Sequence, residues 1–213
     1  MSKQVVVLDF DGTLADSAPI IREVYEKLAI KNRWKTIDDK TYKNLRKGTL
    51  ADARKWANIR WWQIPGVMRA GQKLFSLEAD RVKLFPSMKE LIRKLQNYDI
   101  PIYILSRNSS SVIESVLRRH KVEGVVILSR ASIFGKQRAL KKIASTENIA
   151  LDAVWMIGDE VRDIRSAHKA GVRSIAVSWG LQDIGILKKY KPDIIASSAD
   201  QIMTPIIREV KSA

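Results

Sequence analysis

Residues 5–17, Val5-Val6-Val7-Leu8-Asp9-Phe10-Asp11-Gly12-Thr13-Leu14-Ala15-Asp16-Ser17, constrain the fold of this chain more than any other stretch. Four consecutive apolar residues, three of them β-branched, suit a short strand buried on both faces, as in a parallel sheet. Two carboxylates follow, two positions apart, then a glycine and a hydroxyl. Side chains alternate along a strand, so Asp9 and Asp11 point the same way if the strand continues, and Gly12 lets the backbone turn sharply close to a ligand. Like charges this close raise each other's pKa unless a metal or a shared proton relieves the repulsion. An Asp-x-Asp pair taken alone is ordinarily two solvated loop acids; the apolar strand before it and the Gly-Thr after it favour a site instead.

A chain of 213 residues buries a real core and suits one large domain, or one domain carrying a smaller insertion. It has no cysteine, which excludes disulfides, thiolate metal sites and cysteine nucleophiles. His120 and His168 are too few for an imidazole-rich metal site, so any metal is expected on oxygen ligands, which favours magnesium over zinc. The N-terminus lacks a charged-then-apolar signal and no run of about 18 apolar residues is present to span a membrane, so a cytoplasmic setting is expected. The formal net charge of +15 attracts phosphate-bearing partners, nucleic acid as well as small phosphorylated metabolites, and composition does not separate them.

After Thr13 the pattern turns helical: Ile20, Ile21, Val24, Tyr25 and Leu28 recur at spacings of three and four, with Pro19 near the helix start. No β-rich run follows until about Arg81, and breakers at Asn32, Gly48 and Pro65-Gly66 divide the text into several helices. Residues 16–80 are therefore expected to form a helical insertion. Trp34, Trp56, Trp61 and Trp62 lie in it among many lysines and arginines. Interleaved aromatic and basic residues suit nucleic acid; the favoured expectation is that the tryptophans form the core of a small bundle and the lysines its solvated face.

Phe85-Pro86-Ser87 reads as re-entry into the main domain, with Ser87 capping a helix through Met88, Leu91, Ile92 and Leu95. A second apolar run, Ile100–Leu105, ends in Ser106-Arg107-Asn108-Ser109, where a hydroxyl and backbone N–H groups ahead of a helix suit a phosphate oxygen. Val125–Leu128 is a third strand leading to Phe134-Gly135-Lys136-Gln137, in which Lys136 is a candidate to neutralise charge between a carboxylate and a phosphate. Ala153–Ile157 runs straight into Gly158-Asp159-Glu160-Val161-Arg162-Asp163, again acids at the end of an apolar run. Ser174–Ser178 and Asp193–Ala196 complete six strands alternating with helices, which predicts a parallel α/β sheet with right-handed crossovers. Such sheets bind ligands at the carboxyl ends of their strands, and Asp9, Asp11, Ser106, Lys136, Asp159 and Asp163 all fall there.

Four sites in this order, Asp-x-Asp-Gly-Thr, a hydroxyl ending the second strand, a lysine and Gly-Asp-x-x-x-Asp, resemble the haloacid dehalogenase-like (HAD) hydrolases, and 158–172, 177–180 and 191–193 are similar to phosphoglycolate phosphatase-like members. The resemblance implies a Rossmann-like parallel-sheet core over 1–15 and 81–213 with a helical cap domain over 16–80. It also implies a magnesium-dependent phosphatase acting on a small phosphorylated metabolite through an aspartyl-phosphate. Asp9 would be the nucleophile, and Asp11 would be acid and then base, its backbone carbonyl helping to bind the metal. Magnesium would be held by Asp9 and Asp159, with Asp163 supporting. Ser106 and Lys136 would bind the phosphoryl group, with Thr13, Arg107 and Asn108 beside them. Many relatives carry proline after the lysine where this chain has Gln137. In the insertion, Arg46, Lys47 and Thr49 flank Gly48, a breaker that lets a loop reach the site. Phosphomutase and phosphonatase chemistry of the same superfamily remain open, as does a basic nucleic-acid-binding or scaffold protein on this fold, and a monomer or homodimer is expected.

Overall fold

A computed structural model describes residues 3–129 and 135–211; Phe134 of the run before Lys136 lies outside them. Six strands, β1 (Val5–Leu8), β4 (Ile102–Leu105), β5 (Val126–Leu128), β6 (Val154–Gly158), β7 (Arg173–Val177) and β8 (Ile194–Ala196), form one parallel sheet in the order β5-β4-β1-β6-β7-β8. The chain builds outward from β1 to β4 and β5, then crosses to β6 on the other side. The β1/β6 boundary is therefore the topological switch point, where such sheets open a crevice at the strand ends.

β1 shows why the sheet takes its centre there. All four of its residues are wholly buried, each worth about 1.5–3 kcal/mol on removal from water. Val6 and Leu8 pack under α5 (Pro86–Gln96), α6 (Ser110–Arg119) and α10 (Ala199–Lys211), while Val5 and Val7 pack under α7 (Gly135–Glu147) and α8 (Val161–Ala170). The α/β layers expected from the alternation of strands and helices are those found. The helix after Phe85 begins at Pro86 rather than behind Ser87. Proline's fixed φ suits a first helical position, and Ser87 sits inside the first turn with no capping role.

Between β1 and β4 a short antiparallel ribbon, β2 (Ala15–Asp16) with β3 (Lys83–Leu84), brackets α1 (Ala18–Asn32), α2 (Asp39–Leu45), α3 (Leu50–Trp56) and α4 (Ile64–Leu77). α1 ends at Asn32 where Arg33 turns left-handed, and Pro65 opens the first turn of α4. Thr49 and Asp52 form a reciprocal capping box that starts α3 immediately after Gly48. Ile20, Val24 and Leu28 of α1 and Phe75 of α4 join the apolar cluster beneath the sheet, so the insertion is rooted in the main core. Its tryptophans depart from expectation. Trp34 packs against the cluster, but Trp61 and Trp62 are 70% and 55% exposed, in edge-to-face contact with ring centroids 5.8 Å apart. They lie on a short helical turn ahead of α4, and the Arg60 guanidinium covers the Trp62 ring at 5.3 Å. Among the described residues no helix is long and apolar enough to cross a membrane.

Candidate active site

The carboxyl ends of β1 and β6 bring their acids together. Asp9 follows β1 directly, and its amide donates to Ile157 O at 2.8 Å, so the sheet ladder itself fixes the two ends side by side. Asp159 follows β6, and Asp163 lies in the first turn of α8. Carboxylate oxygens of Asp9, Asp159 and Asp163 all fall within 4.8 Å of one another, and all three residues are buried. Asp11 contributes no carboxylate oxygen to this triad. Its Oδ2 accepts from Asn108 Nδ2 at 2.8 Å, Oδ1 is buried, and the Ser17 hydroxyl is a second polar neighbour that favours the carboxylate.

Close approach depends on two glycines. Gly12 has φ +76°, and a Cβ there would stand 2.2 Å from Asp159 Oδ2; one on Gly180 would stand 2.1 Å from Asp159 Cβ. Into the space they leave, Thr13 Oγ1 donates to Asp159 Oδ1 at 2.8 Å and Leu181 N donates to Asp159 Oδ2 at 2.6 Å. These bonds orient the carboxylate as outer contacts orient a metal ligand.

Lys136 comes from the first turn of α7 and is buried, its Nζ 2.8 Å from Asp9 Oδ2 and 2.7 Å from Asp163 Oδ1. Burial alone would lower its pKa, but the Asp163 and Asp9 charges push it up, so it stays a cation. Burial likewise opposes ionisation of Asp9, yet the Lys136 and Arg162 charges outweigh it and hold that carboxyl below its usual value. Asp11 is pushed up to about 6 by burial and by the neighbouring Asp9 charge. Asp159 is raised well above its usual value by burial and then by Glu160, Asp9 and Asp163. Glu160 is raised by burial and then by Asp163 and Asp9. The centre thus holds five carboxyl groups, Asp9, Asp11, Asp159, Glu160 and Asp163, against the two cations Lys136 and Arg162. An all-oxygen donor set with a surplus of negative charge fits a hard divalent cation.

The other residues singled out from sequence divide. Ser106 is buried at the end of β4, and its Oγ accepts from Asn108 N at 3.1 Å, so it shapes the loop that carries Asn108 to Asp11. Arg107 is half-buried, and its carbonyl accepts from Gln72 of α4 at 3.2 Å. The Arg46 side chain is turned to the core: Nε donates to Leu181 O at 3.1 Å and Nη2 to Gly180 O at 2.9 Å. Lys47 is exposed.

Three residues of the centre went unremarked in the sequence. Glu160 and Arg162 lie inside the Gly-Asp-x-x-x-Asp run, and their charge was the available signal. The Arg162 Nε lies against the Glu160 carboxylate, and Nη2 is 3.7 Å from Asp9 Oδ2. Gln182 gave no signal. Its Oε1 accepts from Val161 N at 2.6 Å at the start of α8, and its Nε2 donates to Gly48 O at 2.8 Å. With Asp183 N donating to Arg46 O at 2.8 Å, residues 46–48 of the insertion are tied by four hydrogen bonds to the loop whose Leu181 amide holds Asp159.

Comparison with known proteins shows what this chain is similar to. Residues 6–177 match the family model described as haloacid dehalogenase-like hydrolase. The chain is 29% identical to the phosphoglycolate phosphatase of Synechococcus elongatus over 211 residues, covering 97% of this chain and all of that protein. It is 24% identical to the pyrophosphatase PpaX of Oceanobacillus iheyensis over 229 residues, 96% of this chain and 97% of that one. A predicted phosphatase from Clostridium acetobutylicum superposes with a TM-score of 0.80 at 20% identity, covering 98% of this chain and 100% of that one. A haloacid dehalogenase-like family hydrolase from Streptococcus pneumoniae superposes at 0.77 and 21%, covering 95% and 97%. The two superpositions speak for the fold, and the family match runs from within β1 to the end of β7, across every strand end that carries one of the buried acids. A parallel sheet whose switch point gathers these acids around a buried lysine therefore has its place among known proteins: this chain belongs to the haloacid dehalogenase-like hydrolase family.

Proposed function

We propose that the chain is a magnesium-dependent phosphatase that releases phosphate from a small phosphorylated metabolite through an aspartyl-phosphate on Asp9. The observation that carries this reading is the meeting of Asp9, Asp159 and Asp163 within 4.8 Å, with Lys136 bridging two of them. Relatives named phosphoglycolate phosphatase and pyrophosphatase support it. In this reading Asp9, Asp159 and Asp163 hold the metal with the Asp11 carbonyl, and the metal, when bound, neutralises charge on the phosphoryl oxygens.

Lys136 and the Ser106–Asn108 loop bind the transferring group and hold it in line with Asp9. An Asp9 oxygen bonds to phosphorus as the bond to the leaving oxygen breaks, and the Asp11 carboxyl gives that oxygen its proton. Asp11, now a carboxylate, takes a proton from the water that attacks phosphorus, which frees phosphate and restores Asp9. Asn108, bonded to Oδ2, and Ser17 beside the same carboxyl keep Asp11 oriented for these transfers. Residues 16–80 act as a cap that closes over the centre, held down through Arg46 and Gly48, which makes Arg46 a fastening of the cap before it is a substrate contact.

Phosphate release from a panel of phosphorylated metabolites, with and without magnesium, tests the reading. Asp9→Asn is expected to abolish turnover with the fold retained, and EDTA to stop it. Wild-type rates in that variant end the nucleophile assignment, and activity indifferent to EDTA ends the metal assignment.

A further inference from the structure

We propose that Arg162 is a catalytic residue of this site, its guanidinium donating to a non-bridging oxygen of the phosphoryl group seated on Asp9. The inference rests on the phosphatase reading. Arg162 is the second residue of α8, one place before Asp163, and its side chain is only 18% exposed. A guanidinium carries five N–H donors and accepts nothing, so a buried one needs oxygens on several sides. Here the Nε edge faces the Glu160 carboxylate. Nη2 lies 3.7 Å from Asp9 Oδ2, beyond hydrogen-bond length yet close enough to reach an oxygen of a group joined to Asp9. Nη1 is buried and finds no hydrogen-bond partner among the described residues.

A tetrahedral phosphoryl group on Asp9 supplies the missing acceptors, and the planar fork is the side chain suited to take two of its oxygens at once. Glu160 then has a role of its own as the positioning residue, holding the guanidinium from its far edge. Lys136 reaches Asp9 from α7 and Arg162 from α8, so the two cations approach the reacting group from different elements.

The rival account is that Arg162 only offsets the charge of the buried carboxyl groups. Arg162→Lys separates the two, because lysine keeps the charge and loses the fork; it carries the test even where Arg162→Ala fails to fold. Two quantities are read on the magnesium-loaded protein: kcat/KM on the best substrate of the panel, and the affinity for inorganic phosphate by calorimetry. We expect kcat/KM to fall by about 100–1,000-fold, with phosphate binding weakened in parallel and the melting temperature held, as for loss of one preorganised donor. A folded lysine variant that binds phosphate within twofold of wild type and turns over at its rate overturns the inference and leaves the phosphatase reading standing. Wild-type protein that neither turns over nor binds phosphate overturns both.

Discussion

Arg46→Ala tests the fastening between insertion and core. The substitution removes the bonds to Leu181 O and Gly180 O, while the backbone bond from Asp183 N to Arg46 O and the bond from Gln182 to Gly48 O persist. A hydrogen bond to a charged group contributes about 1.5–3 kcal/mol. Arg46 is half-buried, so we take the low end once, about 1.5 kcal/mol, which shifts a local opening equilibrium by about tenfold. Were the loss felt by the whole molecule, the melting temperature would fall by about 3–6 °C for a chain of this size. A smaller drop, under about 2 °C, is expected, because α1 and α4 keep their apolar roots in the main cluster. Hydrogen exchange is the assay. The Asp183 amide, whose acceptor is Arg46 O, and the amides of 46–49 are expected to exchange about tenfold faster, with β1 and β6 unchanged. Unchanged exchange at Asp183 refutes the fastening, and so does a melting temperature that falls by the full amount while exchange rises everywhere alike.

Gly180→Ala sets a Cβ 2.1 Å from Asp159 Cβ, and the loop must move to relieve it, taking the Leu181 amide from Asp159. A loss of about 100-fold or more in kcat/KM is expected from such a displacement, with weaker metal binding by calorimetry; activity near wild type would mean that this loop does not set the position of Asp159. Tyr103 sits at about 12, raised by burial and by its bond to the Glu147 carboxylate. A group that ionises near 10 when unfolded and near 12 when folded makes the unfolded state bind fewer protons between those values, so stability falls as pH rises through that window. Urea unfolding from about pH 9 to about pH 12 is expected to show a shallower decline in Tyr103→Phe, and equal slopes would remove Tyr103 as the cause.

How much was legible follows from how each feature is encoded. The sheet was readable because Val5–Leu8 and Val154–Ile157 are unbroken apolar runs, and only strands buried on both faces tolerate them. Asp9 and Asp159 were readable because each follows its strand directly, with Asp11 and Asp163 a few residues on, so the topology that orders the strands also gathers the carboxylates. The β2–β3 ribbon was not, since two-residue strands carry no periodicity and their pairing joins Ala15 to Leu84 across the whole insertion. Nor was the direction of Trp61 and Trp62. An aromatic ring reports apolar surface, not which neighbour covers it, and a guanidinium stacked on Trp62 can stand in for a core. Gln182 shows the same limit for polar groups, because a lone amide in a loop gains meaning only when Val161 and Gly48 are seen on either side of it.

The crowding of acids at the β1/β6 boundary has a consequence for how ligands arrive. The net charge of +15 draws a diffusing phosphate ester toward this molecule from a distance, whereas in the proposed reading the cluster of acids at its heart would disfavour an anion until a divalent ion has settled there. If the proposed phosphatase reading holds, order of arrival is written into the charge map: metal before substrate. Added salt should slow the approach of the ester far more than the chemistry that follows, because a field in solvent is screened and one sealed among side chains is not.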